Sequence, residues 1–305
     1  MTMPDACDLE SRATHIETEQ IAHQCPLCLN LAAAVGQATY YDANERYATP
    51  VFYCKRCNLY GRIVTAAQIR SHIPATSYVQ PQSESKWLRS RAGFFEYILK
   101  VVDQYLAKSD RQRSLVDFGS AYGHLIDIAI RQGFKSTGVE ASRELVEITR
   151  ARGLNVVESV DDLPHDIDVF TIIDSLYLIQ DPIALMSKIR TRLSDGGIAV
   201  IRITNRNWIA GIRRLGSGNP DLSVLGDTIY SYSLRSLREL LKQAGMKVVR
   251  VIPDGGAGKK TVWQKAWGYK MLSLISNLSC HTLLLSPGLI VVATSNEIRP
   301  SVQAK

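Results

Sequence analysis

Residues 115–125 read LVDFGSAYGHL. An apolar run with the texture of a strand gives way to Gly119, Ser120, Ala121 and Gly123, with Asp117 just ahead. Side chains are given up at the end of a buried strand where the main chain must come close to another molecule or turn through positive φ. Working outward, apolar runs at 114–119, 135–142, 155–159, 168–174, 198–205, 246–252 and 288–294 read as strands. Helical spacing covers 124–133, 142–153, 182–193 and 233–245, with Ser142 as an N-cap and Gly133 and Gly153 as stops. An earlier helix is expected from Trp87 onward, where Leu88, Phe94, Phe95, Ile98, Val101, Val102 and Tyr105 recur at mostly helical spacing. Strands alternating with helices of this length imply β-α-β units and a doubly wound, Rossmann-like α/β sheet.

In an open parallel sheet, ligands bind outside the carboxyl ends of the strands. The small residues after the first strand sit at such an end, and Glu140 closes the second strand twenty-three residues after Asp117. A carboxylate there can accept bonds from both hydroxyls of a ribose, so the pair points to an adenosine-type ligand. The spacing D-x-G-x-A-x-G lacks the glycines of the dinucleotide fingerprint G-x-G-x-x-G.

The pattern instead resembles the class I S-adenosylmethionine-dependent methyltransferases. The resemblance spans about residues 87–296 and rests on LVDFGSAYGHL, GVEAS, DVFTIIDSLYLIQDP, RLSDGGIAVIRITN and YSLRSLRELLKQAGMKVV, in the family's order. It implies that Asp117, Gly119, Ser120, Ala121 and Gly123 line the methionine end of S-adenosylmethionine, that Glu140 holds the ribose, and that Asp174 faces cofactor and acceptor. Two departures stand out. Where relatives carry an acid for the adenine amino group, this chain has Ser159, with Asp161 and Asp162 just beyond; Asp162 is the candidate. Where many relatives carry Glu-His after the fourth strand, this chain has Tyr177-Leu178. An oxygen or carbon acceptor needs a general base, and Tyr177 and His124 are the candidates, with Tyr230 and Tyr232 near a possible lid at 206–230.

Ahead of this domain, CPLC (25–28) and CKRC (54–57) form two C-x-x-C pairs. Cys25, Cys28, Cys54 and Cys57 suit a structural, tetrahedral Zn²⁺ in a ribbon module over 21–75; two disulfides are the alternative. Residues 1–20 and 297–305 read as tails and 76–86 as a linker. Cys7 and Cys280 stand outside the pattern.

The chain has 305 residues, 46% of them hydrophobic, and a formal charge of +7. No run is long enough to span a membrane, and the first twenty residues lack an apolar core of a secretory signal, so a cytoplasmic address is expected. Residues 1–75 hold 6 Lys/Arg against 7 Asp/Glu. A nucleic-acid module should be basic there, so a sugar, glycan precursor or other small metabolite is the expected acceptor. An RNA methyltransferase and a non-catalytic cofactor-binding scaffold are the alternatives. Residues 262–279 could form an amphipathic helix on a membrane surface or pack against the sheet.

Overall fold

The computed structural model describes residues 23–41, 46–65, 81–106, 110–205, 207–217, 222–226, 228–254, 263–279 and 285–295. The two tails, Cys7, Cys280 and residues 76–80 of the expected linker lie outside them.

Four strands come first: β1 (His23–Gln24), β2 (Leu31–Tyr41), β3 (Arg46–Cys54) and β4 (Leu59–Arg62), each antiparallel to the next where they pair. Helix α1 (Pro81–Tyr105) follows and begins inside the stretch expected to be linker. Proline is tolerated at the first helical position, and the Gln, Ser and Glu after it do not break a helix. Then come β5 (Ser114–Phe118), α2 (His124–Arg131), β6 (Lys135–Val139), α3 (Arg143–Ala151), β7 (Val156–Val157), β8 (Ile167–Ile173), α4 (Pro182–Arg192) and β9 (Leu193–Thr204). The chain ends with α5 (Asn207–Ser217), β10 (Tyr230–Ser231), α6 (Leu234–Gln243), β11 (Lys247–Asp254), α7 (Trp263–Leu278) and β12 (Gly288–Thr294).

The large sheet has seven strands in the order β11-β12-β9-β8-β5-β6-β7. Strands β5 to β9 pair in parallel, whereas β12 is antiparallel to both its neighbours. This departs from a wholly parallel sheet for a simple reason. Asp254 pairs with Gly288, so the 255–287 connection leaves and re-enters the sheet at the same edge. Every residue of β8 and of β12 is buried, which explains the near-continuous apolar run of β12; the two polar residues inside β8, Asp168 and Thr171, are hydrogen-bonded. On one face, Val116, Phe170, Ile172, Ala199 and Ile201 pack with Met186 and Ile189 of α4 and Leu237, Leu240 and Leu241 of α6. On the other, Leu115, Val169, Val200 and Ile290 pack with Phe94, Ile98 and Val102 of α1 and Leu125 and Ala129 of α2.

The helix starts follow their caps. Ser142 accepts a bond from Leu145 N, Asp181 accepts one from Ala184 N ahead of Pro182, and Ser233 caps α6.

The N-terminal strands are joined to the seven-stranded part through strand β10. Tyr230 pairs with Gly61 and Ser231 with Tyr60, adding β10 to the small sheet. Arg62 lies buried at this seam. Its guanidinium donates to the carbonyls of Ala38 and Thr228 at 2.9 Å, to Thr49 Oγ1 at 2.9 Å and to Gly226 O. Asn207 Nδ2 donates to Asn58 O at 2.9 Å and to Ser231 O at 3.1 Å, and Ser233 Oγ donates to Cys57 O at 3.3 Å. The residues expected to form a lid are therefore tied to the cysteine-bearing hairpins.

Removing the Arg62 side chain takes a donor from the buried Thr49 hydroxyl and from the part-buried carbonyl bonds to Ala38, Thr228 and Gly226, at a cost of roughly 1–3 kcal/mol for each group left unsatisfied. Arg62→Ala should lower the unfolding free energy by about 3 kcal/mol or more, read as a fall in the urea midpoint. An unchanged midpoint would show that the seam contributes nothing.

Candidate functional site

The turn after β5 is built from left-handed backbone. Gly119, Ala121 and Gly123 have φ of 74°, 47° and 74°. At Gly119 a side chain would also collide, since a Cβ would lie 2.5 Å from Ser175 Cβ. Ala121 adopts its φ against the preference of an L-residue, a strain of about 1–2 kcal/mol, so something must hold it. Glu140, just past the end of β6, does. Its Oε2 accepts from Ala121 N and its Oε1 from Ser142 N, both at 2.9 Å. Thr149 Oγ1 of α3 donates to Ala121 O at 3.1 Å, and Ser175 Oγ donates to Phe118 O at 2.8 Å. The turn is thus gripped from the ends of β6 and β8 and from α3.

Asp117 is buried beneath this turn and accepts a 2.7 Å bond from Thr171 Oγ1. Burial pushes its carboxyl up to about 7, the Thr171 bond works against that, and the charge of Glu140 adds to it. Ser120 is placed differently from the expectation. Its buried Oγ turns over Gly138 of β6, where a Cβ would lie 2.5 Å from it.

Three other expected site residues have the following surroundings. Asp174 also has a positive φ, 58°, but its carboxylate is committed to Arg202 and, at 3.1 Å, to Arg91. The reason is Arg202, a buried cation in mid-strand β9 that also binds Asp254 at 2.9 Å and lies over the Phe94 ring. A charge so placed must be compensated. Asp162 is exposed and closes a capping box, its Oδ2 accepting from Ser159 N at 3.2 Å. His124 is only 2% exposed and its ring packs near Tyr122, a poor position for a base that must reach an acceptor.

Tyr230 and Tyr232 are packing residues. Tyr230 donates to Gln180 O at 3.1 Å, and burial pushes its hydroxyl up to about 12. Tyr232 is buried and shifted further in the same direction by the same cause. Tyr177 is half-buried in the turn after β8, with its carbonyl accepting from Ile229 N.

The four cysteines meet. Cys25, Cys54 and Cys57 are buried and Cys28 half-buried, all as free thiols, with their sulfurs within 4.8 Å of one another. Zn–S bonds of about 2.3 Å in a tetrahedron give S···S separations of roughly 3.8 Å; Cys28 and Cys54 lie at 3.7 Å. The donor set can hold a tetrahedral metal ion. Arg56 of one knuckle donates to Asn30 beside the other.

A cavity of about 610 Å³ opens between the second knuckle, the chain after β9 and α6. Asn58 lines it from the knuckle, Asn205, Asn207 and Trp208 from the chain after β9, and Arg235, Arg238, Glu239 and Lys242 from one face of α6. The indole N–H of Trp208 has no hydrogen-bond partner among the described residues.

Ser175, Thr149, Arg202 and Arg62 were not singled out from sequence. Arg202 carried a visible signal, an arginine inside the apolar run IAVIRIT. The other three look ordinary in sequence.

No curated protein matches the chain. Among solved structures it is similar in fold to a possible histamine N-methyltransferase of Thermotoga maritima, at 17% identity and TM-score 0.45, covering 74% of this chain and 100% of that one. It is likewise similar to magnesium protoporphyrin IX methyltransferase of Synechocystis PCC 6803, at 13% identity and TM-score 0.46, covering 72% and 96%. A third is geranyl diphosphate C-methyltransferase of Streptomyces coelicolor A3(2), at 15% identity and TM-score 0.43, covering 66% and 79%. These likenesses say nothing about the acceptor. Residues 89–251, more than half of the chain, match the family described as Methyltransferase domain. The chain belongs to that family, and with its mixed α/β, Rossmann-like sheet it is an S-adenosylmethionine-dependent methyltransferase.

Proposed function

We propose that the turn 119–123 and Glu140 hold S-adenosylmethionine, and that the acceptor is a sugar, a glycan precursor or another small polar metabolite bound on the side of the cysteine knuckles. The observation that carries the cofactor assignment is Glu140. A carboxylate offers about four lone-pair positions, and the backbone amides of Ala121 and Ser142 use two. Two remain for a ribose diol. The half-buried main chain of Gly119 and Ala121 suits a methionine moiety approaching bare backbone.

When bound, the cofactor would supply a methyl group on a sulfonium: an acceptor atom attacks the methyl carbon, and the neutral thioether of S-adenosylhomocysteine leaves. The protein's part is alignment and proton removal. Tyr177, half-buried after β8, is the candidate to touch the acceptor; His124 is too enclosed for the role. On the acceptor side, Asn58, Asn205 and Trp208 give the cavity an amide and aromatic lining, and α6 adds three cations, Arg235, Arg238 and Lys242, against one carboxylate, Glu239. That chemistry suits a polar molecule bearing a negative group. Cys25, Cys28, Cys54 and Cys57 would hold Zn²⁺ as a closed, non-catalytic site. Through Asn58 and the β4–β10 pairing the metal would fix one wall of the acceptor cavity.

Glu140→Ala should weaken S-adenosylhomocysteine binding at least about tenfold in calorimetry, the loss of one or more charge-assisted bonds. Asp117 adds a pH signature. Its carboxyl, raised from 3.8 to about 7 on folding, binds more protons in the folded than in the unfolded chain, so its contribution favours folding at low pH and is lost as pH climbs from about 4 to 7. A cationic cofactor favours the ionised form, so S-adenosylmethionine affinity should rise through pH 7, and Asp117→Asn should flatten that rise.

Purified protein should carry one zinc per chain by mass spectrometry of the metal. Cys54→Ser should abolish it and lower the unfolding midpoint while leaving cofactor affinity nearly unchanged; a metal-free native chain of equal stability would contradict the assignment. The acceptor itself is found by incubating cell extract with the enzyme and isotopically labelled S-adenosylmethionine. Label in a small polar metabolite or glycan precursor supports the proposal, whereas label confined to RNA, or none anywhere, overturns it.

A further inference from the structure

Helix α7 is built inside out. A surface helix normally turns its large apolar side chains to the protein and its small polar ones to water. Here Trp267, Met271, Leu274, Ile275 and Leu278, spaced at i, i+4, i+7, i+8 and i+11, form one stripe that faces outward. Trp267 is 61% exposed, Leu274 48% and Leu278 76%. The inward side is lined by Leu272 and Ser276. Ser276 is buried, its Oγ donating to Leu272 O at 2.8 Å and accepting from Leu285 N at 2.9 Å. The outward stripe therefore has no counterpart in the protein's own core.

We infer that this stripe seats the protein on an anionic membrane surface, with α7 lying in the plane of the interface. Charge decides between a bilayer and a second copy of the chain. Residues 255–296 contain four lysines, Lys259, Lys260, Lys265 and Lys270, and no aspartate or glutamate. A symmetric pairing of α7 with itself would bring two such acid-free, lysine-bearing segments together. An anionic lipid surface complements the same charge, and each lysine near it adds to the attraction. A tryptophan and leucines beside lysines are also what an interfacial helix uses. No helix among the described residues is long and apolar enough to cross a membrane, so the contact is peripheral. The 255–287 connection leaves and re-enters the sheet at the carboxyl edge of β9, because Asp254 pairs with Gly288 and Gly288 with Thr204. That edge also carries the turn 119–123. A bilayer bound by α7 thus meets the protein through a segment anchored at the edge where methyl transfer takes place.

The test is flotation of the full, zinc-loaded chain with vesicles of phosphatidylcholine alone and with added phosphatidylglycerol. Partitioning should be at least about tenfold greater on the anionic vesicles and should fall in high salt. The double variant Leu274→Glu, Leu278→Glu changes only exposed positions, and its unfolding midpoint should match that of the native chain. It should lose vesicle binding. Equal partitioning of variant and native chain, or no binding to anionic vesicles, overturns the inference. So does a native dimer in sedimentation equilibrium that the double variant converts to monomer without any vesicle binding having been present.

Discussion

The carboxylate of Glu140 spans two strands' worth of structure. One oxygen takes the amide of Ala121 in the turn after β5, and the other takes the amide that opens α3 after β6. Without that bridge, a non-glycine residue at φ 47° inside a run of left-handed backbone has little reason to persist. With it, the turn is held open and its main chain is presented at the sheet edge. Ser175 and Thr149 brace the same turn from other elements. The cradle is therefore a property of the tertiary fold and not of the loop alone.

A second theme is the use of buried arginines as joints. Arg202 draws Asp174, Asp254 and the Phe94 face together across β8, β9, β11 and α1. Gly288 is small because a Cβ there would lie 2.7 Å from the Arg202 guanidinium. Arg62 does the same at the seam of the two sheets, using backbone carbonyls and a threonine hydroxyl as acceptors. Each joint concentrates specificity in one side chain, because removing it strands several buried partners. Together they place the cysteine knuckles against the chain after β9, and so give the cavity beside α6 its walls.

Much of this was legible in the residues. The alternation of strand and helix, the cap at Ser142 and the two C-x-x-C pairs all act locally, and each of these features lies close to where periodicity and capping put it. The start of α1 was missed because a proline amid polar residues reads as linker until its N1 role is seen. The β4–β10 pairing was missed because two residues of strand, 230–231, carry no periodicity, and their partners lie some 170 positions earlier. Asp174 was misread because its partner, Arg202, is supplied by another strand. Nor does the sequence say which side of α7 faces out, since large apolar residues lie all along it and only packing chooses.

The central claim is that the main chain of the turn after β5, tied to Glu140, forms the cofactor seat. It is tested most directly by amide NMR of the isotopically labelled protein during titration with S-adenosylhomocysteine. The account predicts the largest shifts at Gly119 to Gly123 and at the amides next to Glu140, with those of the cysteine knuckles nearly still. Saturable shifts mapping elsewhere, or a spectrum that does not change, would contradict it.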